Sequence, residues 1–119
     1  MALYHANVFM PRRIRNMIQP ANVQLTYSQH AIREANSDRY GKIDLPTQAV
    51  VGPAGIVEVE EYSGRVEKFV FRAKYNEKID LVFAVIPEGK GRLFVKTVWA
   101  DEVGDHHNTL DTRRYEQKP

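Results

Sequence analysis

Apolar and polar positions alternate with period two over most of the chain's second half. The runs IVEVEEY, VEKFVFRAKY, IDLVFAVI and RLFVKTVW are rich in β-branched and aromatic residues. They are separated by SGR, NEK and PEGKG, which carry the turn residues that hairpins require. This predicts a four-stranded antiparallel meander from about residue 56 to 99. Strict alternation places Phe69, Phe71, Ala73 and Tyr75 on one side of the second strand, and Val66, Lys68, Val70, Arg72 and Lys74 on the other. In the third and fourth strands, Leu81, Phe83, Val85, Leu93, Val95 and Trp99 fall on the apolar side. The indole N–H of Trp99 then needs a partner if it is buried.

The first half has a different rhythm. NVQLTY, residues 22–27, alternates over a strand's length, and Ser28 is placed to cap a helix from about 29 to 37. Ala31, Ile32 and Ala35 form a narrow stripe on that helix for burial against the sheet. A short helix fits RRIRNMIQ between Pro11 and Pro20. A second fits DLPTQAVV, where Pro46 suits a first helical turn and Gly52 and Pro53 end it. Helices with no other apolar surface to cover belong on the sheet's apolar face, so the expected fold class is α+β: a two-layer domain of short helices on the four-stranded meander. At 119 residues the chain is expected to form one domain. Residues 1–21 are its N-terminal extension, 22–103 its helix-and-sheet core and 104–119 a polar C-terminal segment.

Composition narrows the chemistry. The chain is 43% hydrophobic and 27% charged, as expected of a folded globular domain. It has no cysteine, which removes disulfides, thiolate zinc sites and a cysteine nucleophile. No run approaches the roughly 18 apolar residues of a membrane span, and the first twenty residues lack a signal-peptide pattern. The expected setting is cytoplasmic, with no membrane partner. With 17 basic and 15 acidic residues the net charge is +2, so any nucleic-acid surface must be local. SGR and PEGKG lack the spacing of a phosphate-binding glycine loop, and no nucleotide or other cofactor is expected.

The densest concentration of reactive side chains is GDHHNTLDTRRY, residues 104–115. His106 and His107 are adjacent and lack an HxxxH spacing, which makes them poor joint metal ligands, and no metal is expected. The segment admits two readings. Its histidines and arginines suit proton transfer and anion stabilisation. Alternatively, Thr109 or Asp111 caps a final turn with Arg113 or Arg114 at its C-terminus.

Taken with SQHAIREANSDRYG, FVFRAKY, DLVFAVI and VKTVWAD, the final RRY resembles the RelE-like superfamily of small bacterial ribonuclease toxins, over about residues 22–116. The combination is also similar to small proteins of tailed phages. The resemblance implies RNA binding with metal-independent endoribonuclease activity. On that pattern His106, His107 and Tyr115 serve the proton transfers, while Arg72, Lys74, Lys96 and Arg114 hold RNA phosphate. The alternative is a phage-type accessory protein that binds and inhibits a host protein without catalysis, since a fold does not fix its function. The expected partner is therefore RNA or a host protein.

Overall fold

The computed structural model describes residues 1–105 and 111–119. Among the described residues one sheet of seven strands is formed: β1 (Ala2–His5), β2 (Ala21–Tyr27), β3 (Gln48–Val51), β4 (Ile56–Tyr62), β5 (Arg65–Lys74), β6 (Ile79–Gly89) and β7 (Arg92–Glu102). Their spatial order is β1-β4-β5-β6-β7-β2-β3. Strands β4 to β7 pair with their sequence neighbours in antiparallel fashion. β2 lies parallel to β7, with Leu25 opposite Leu93 and Tyr27 opposite Val95. The described helices are short: α1 (Arg12–Arg15) and α2 (Gln29–Asn36).

This overturns the expected fold class. The molecule is mostly β, a mixed seven-stranded sheet, and not a four-stranded antiparallel meander with a helical layer packed on it. Three segments account for the difference. Residues 2–5, assigned to an N-terminal extension, form an edge strand that pairs antiparallel with β4. The strand at 21–27 joins the far side of β7. Residues 48–51, expected to be helical after Pro46, instead form β3, paired antiparallel to β2. The β-branched pair Val50 and Val51 favours an extended backbone over continuation of a helical turn.

Helix α2 starts where the sequence places it. The Ser28 hydroxyl accepts the Ala31 N–H at 3.0 Å and donates to the Lys96 carbonyl at 2.9 Å. The cap thereby fastens the helix to β7 as well as satisfying one of its free amides. Ala31 and Ala35 are buried, but Ile32 is 39% exposed, so the buried stripe is narrower than expected.

Two one-residue bulges correct the expected face assignments. Between the pairs Ala84–Thr97 and Val85–Val95 the register slips by one, so Lys96 is an extra residue in β7. Beyond it the side-chain phase inverts. Val95, Val98 and Ala100 consequently share the core face, while Trp99, opposite Val82, lies on the other. In β5 the pairs Glu60–Lys68 and Glu61–Val66 make Glu67 the extra residue. Val66 therefore joins Phe69 and Phe71 against the core, not Lys68 and Arg72.

The main core is built on that face, around Phe71 stacked on Phe83 with ring centroids 4.8 Å apart. Ile14 of α1, Ala31 and Ala35 of α2, and Val51 of β3 complete it. The sheet curls so that the β3 end approaches β5. A short 3-10 turn at Pro53–Gly55 seats Gly55 so tightly that a Cβ there would lie 2.7 Å from the Arg72 carbonyl oxygen. No helix among the described residues is long and apolar enough to cross a membrane.

Candidate functional site

The second face of the sheet gathers most of the described residues singled out for chemistry. The register puts His5 of β1 beside Glu58 of β4, Glu58 beside Val70 of β5, and Arg72 one position further along the same face. Arg72 is opposite Val82 of β6, and Asp80 is opposite Asp101 of β7. A row of polar groups thus crosses five strands, with Val82 buried beneath it.

Arg72 is the centre of the row. Its Nε donates to Asp80 Oδ2 at 2.7 Å, its Nη2 to the Glu102 carbonyl at 2.7 Å, and its Nη1 to the Asp105 carbonyl at 3.3 Å. Asp101 Oδ2 lies 3.8 Å from Nη1, and Asp101 Oδ1 lies 3.6 Å from Arg39 Nη2. The Arg72 side chain is only 17% exposed. Two guanidinium cations thus face two carboxylates, and the forked donors of Arg72 bind the chain as it leaves β7. This arrangement holds the start of the C-terminal segment on the sheet. An incoming phosphate at Arg72 would meet Asp80 and Asp101 as well as the cation, and like charges this close repel.

Tyr115 sits toward the β1 edge. It is 5% exposed, its hydroxyl donates to Glu58 Oε1 at 2.6 Å, and its ring lies 4.9 Å from that of His5. Burial, then the hydrogen bond to Glu58 and that carboxylate's charge, push the phenol up to about 12. At neutral pH Tyr115 is therefore a committed donor that keeps its proton. The guanidinium of Arg114 lies 5.6 Å above the Tyr115 ring, and the Glu116 N–H donates to the Leu3 carbonyl at 2.8 Å. The tail thus lies along the outer edge of β1. Asp111 caps the short turn at Thr112–Arg114 through the Arg113 N–H at 3.1 Å, the structural alternative anticipated for this segment.

The other expected phosphate ligands do not converge. Lys74 pairs with Glu77 at 3.2 Å, and Lys96 is exposed at the bulge with its carbonyl taken by Ser28. His30 is exposed and lies 3.3 Å from Glu34. His106 and His107 lie outside the described residues. Among the described residues no group of three or more histidine, aspartate or glutamate side chains is placed to hold a metal ion.

His5 and Glu58, which line the Tyr115 seat, carried no weight in the sequence. Their only signal was the alternation of ALYH and IVEVEEY, which assigns a face without naming the neighbour.

A second feature lies on the core side, where β3 stops short of β5. The sheet ends at β3, whose only strand partner among the described residues is β2. Leu25 N–H donates to the Thr47 carbonyl at 2.9 Å, and this bond fixes the alternation of the antiparallel ladder. Ala49 and Val51 then bond to β2, while the N–H and C=O groups of Gln48 and Val50 point away from it. Val50 is 69% exposed. Between this edge and β5 runs a groove of about 560 Å³ with Ala73, Leu81 and Phe83 among its lining and Lys74 and Asp44 beside them.

Compared with protein-family models, curated proteins and solved structures, the chain matches none.

Proposed function

We propose that this protein is a non-catalytic binding module of the accessory type, working in the cytoplasm by adding a segment of a host protein to the free edge of β3. The observation that carries this reading is the outward-facing backbone of Gln48 and Val50 beside an apolar groove. Exposed edge strands are usually blunted by charge, proline or a covering segment, because they recruit further strands. The β1 edge is covered by the tail through Glu116, whereas β3 presents valine. An extended partner segment would pair its main chain with Gln48 and Val50 and set an apolar side chain on Ala73, Leu81 and Phe83. The occupied donors of Arg72 and the protonated, buried Tyr115 favour this over phosphate chemistry.

The test uses the immobilised protein in bacterial lysate treated with nuclease. One stoichiometric protein is expected to be retained, and Val50→Pro should lose it. Proline at this position removes an N–H that points away from β2, so the native ladder is kept. Val50→Thr should retain the partner. Retention of nothing, or equal retention by Val50→Pro, overturns the proposal. Cleavage of total RNA in EDTA that disappears in Arg72→Ala would establish the ribonuclease reading in its place.

A further inference from the structure

At the opposite end of the curled sheet, the core face opens into a second pocket of about 580 Å³, within the range of about 300–1,000 Å³ found for small-molecule sites. Its walls include Val23, Val51, Phe69 and Leu93, all buried and all carried on strands, together with Val66 and Met17. Side chains held on paired strands make such a wall preformed, so a ligand need not order it on binding.

The charged side chains lining this pocket are both arginine, and the one other polar side chain on its wall among the described residues, Gln19, donates to the Asn16 carbonyl at 3.0 Å. Arg65 and Arg92, both exposed, come from the starts of β5 and β7 and line the same opening. Arg65 shares Glu67 at 3.1 Å. Two more acids lie near this end: Glu88 accepts the Thr26 hydroxyl at 3.4 Å, and Glu61, opposite Val66, accepts the Gly64 N–H at 2.9 Å. Arg92 has no acidic partner among the described residues. A concave apolar wall with an uncommitted guanidinium at its rim matches a molecule with an apolar body and one anionic end. Arginine is suited to this because its planar fork meets both oxygens of a carboxylate.

We infer that this pocket binds an amphipathic carboxylate of the fatty-acid class, its chain against Val23, Val51, Val66 and Phe69 and its head group on Arg92. The site is separate from the β3 edge groove and from the Arg72 row, and it holds whichever function those serve. The carboxylate contributes orientation and selectivity, since a cationic amphiphile of equal length would place its charge against Arg92 and Arg65.

The probe is dodecanoate, titrated below its micellar concentration into the full-length protein and followed calorimetrically and by backbone amide shifts. Saturable binding of one equivalent is expected, with shifts confined to residues around 17–23, 51, 64–69 and 87–93. Arg92→Glu should weaken it at least tenfold while leaving the protein folded, because the side chain is exposed. Ala21→Phe, at an exposed strand position on the lining, should obstruct the alkyl chain and weaken dodecanoate with Arg92 still in place. Dodecyltrimethylammonium should bind at least tenfold more weakly than dodecanoate. Absence of saturable binding, shifts centred elsewhere, or equal affinity for the cationic amphiphile overturns the inference. Unchanged affinity in Arg92→Glu does so as well.

Discussion

Tyr115 offers the most direct measure of whether the C-terminal segment is part of the fold. In Tyr115→Phe the ring is kept and the hydroxyl removed, leaving Glu58 without its 2.6 Å donor. Hydrogen bonds to charged groups contribute about 1.5–3 kcal/mol, and Glu58 is only partly buried and regains water, so about 1.5 kcal/mol is expected. In Tyr115→Ala the ring, 5% exposed against His5, is lost as well. Removal of a buried aromatic ring costs about 3–5 kcal/mol. Trp99, the chain's one tryptophan, lies on the same face and reports unfolding by fluorescence. Urea titration should give stabilities in the order wild type, Tyr115→Phe, Tyr115→Ala, with slopes little changed if the unfolded state is unaffected.

The alkaline limb adds an independent reading. The folded-state pKa of Tyr115 is raised from 10.0 to about 12, so the folded state holds its proton more tightly than the unfolded one. The stabilisation is complete below about pH 10 and is lost as pH rises towards 12. Tyr115→Phe should therefore lose stability less steeply over that window. Part of the slope should survive, because burial also raises Tyr27. If Tyr115→Ala unfolds within about 0.5 kcal/mol of wild type and the alkaline slope is unchanged in Tyr115→Phe, the segment is a polar tail and the reasoning fails.

Three further perturbations test the framework around it. Gly55→Ala puts a methyl group 2.7 Å from the Arg72 carbonyl oxygen, a backbone atom with little room to move, and should cost about 1–3 kcal/mol by thermal or urea unfolding. Ser28→Ala removes the cap of α2 and its bond to the Lys96 carbonyl together, so about 1–2 kcal/mol is expected, with faster amide exchange concentrated at the start of α2. Arg72→Met leaves Asp80 without its cation and takes from Asp101 one of the two guanidinium groups beside it. The expected loss is about 2–4 kcal/mol, below the full cost of breaking a buried pair because Asp80 is partly solvated. Asp80→Asn in the Arg72→Met background should recover part of that loss in a double-mutant cycle.

The local features of the chain were legible where local chemistry decides them. The hairpin turns, the strand period from 56 onward and the Ser28 cap follow from residue type and spacing alone. What escaped was set by pairing across long sequence separations. β2 and β7 lie some seventy residues apart, and nothing within NVQLTY states that its neighbour will be parallel. QAVV was misassigned because Pro46 satisfies the first turn of a helix, and four residues are too few for periodicity to object. Arg72, Arg114 and Tyr115 could be singled out by type. Asp80, Asp101, Glu58 and His5 become their neighbours only once the register is fixed.

The Lys96 bulge shows how one residue links these levels. Under unbroken alternation, Val95 and Trp99 would both face the core and Val98 would face outward. The apolar spacing of VKTVWA already departs from that pattern, with Val95, Val98 and Ala100 separated by three positions and then two. The extra residue lets all three of these enter the core, where each is essentially buried. At the same point β2 leaves β7, and Ser28 takes over: its N–H donates to the Val95 carbonyl at 3.0 Å and its hydroxyl to that of Lys96. Past the bulge, Asp38 accepts the Ala100 N–H at 3.1 Å and occupies an edge that β2 no longer covers. The inverted phase also turns Asp101 onto the second face, opposite Asp80, within reach of both Arg72 and Arg39. The same inserted residue therefore closes the core, ends the parallel pairing and supplies a carboxylate to the row that holds the C-terminal segment.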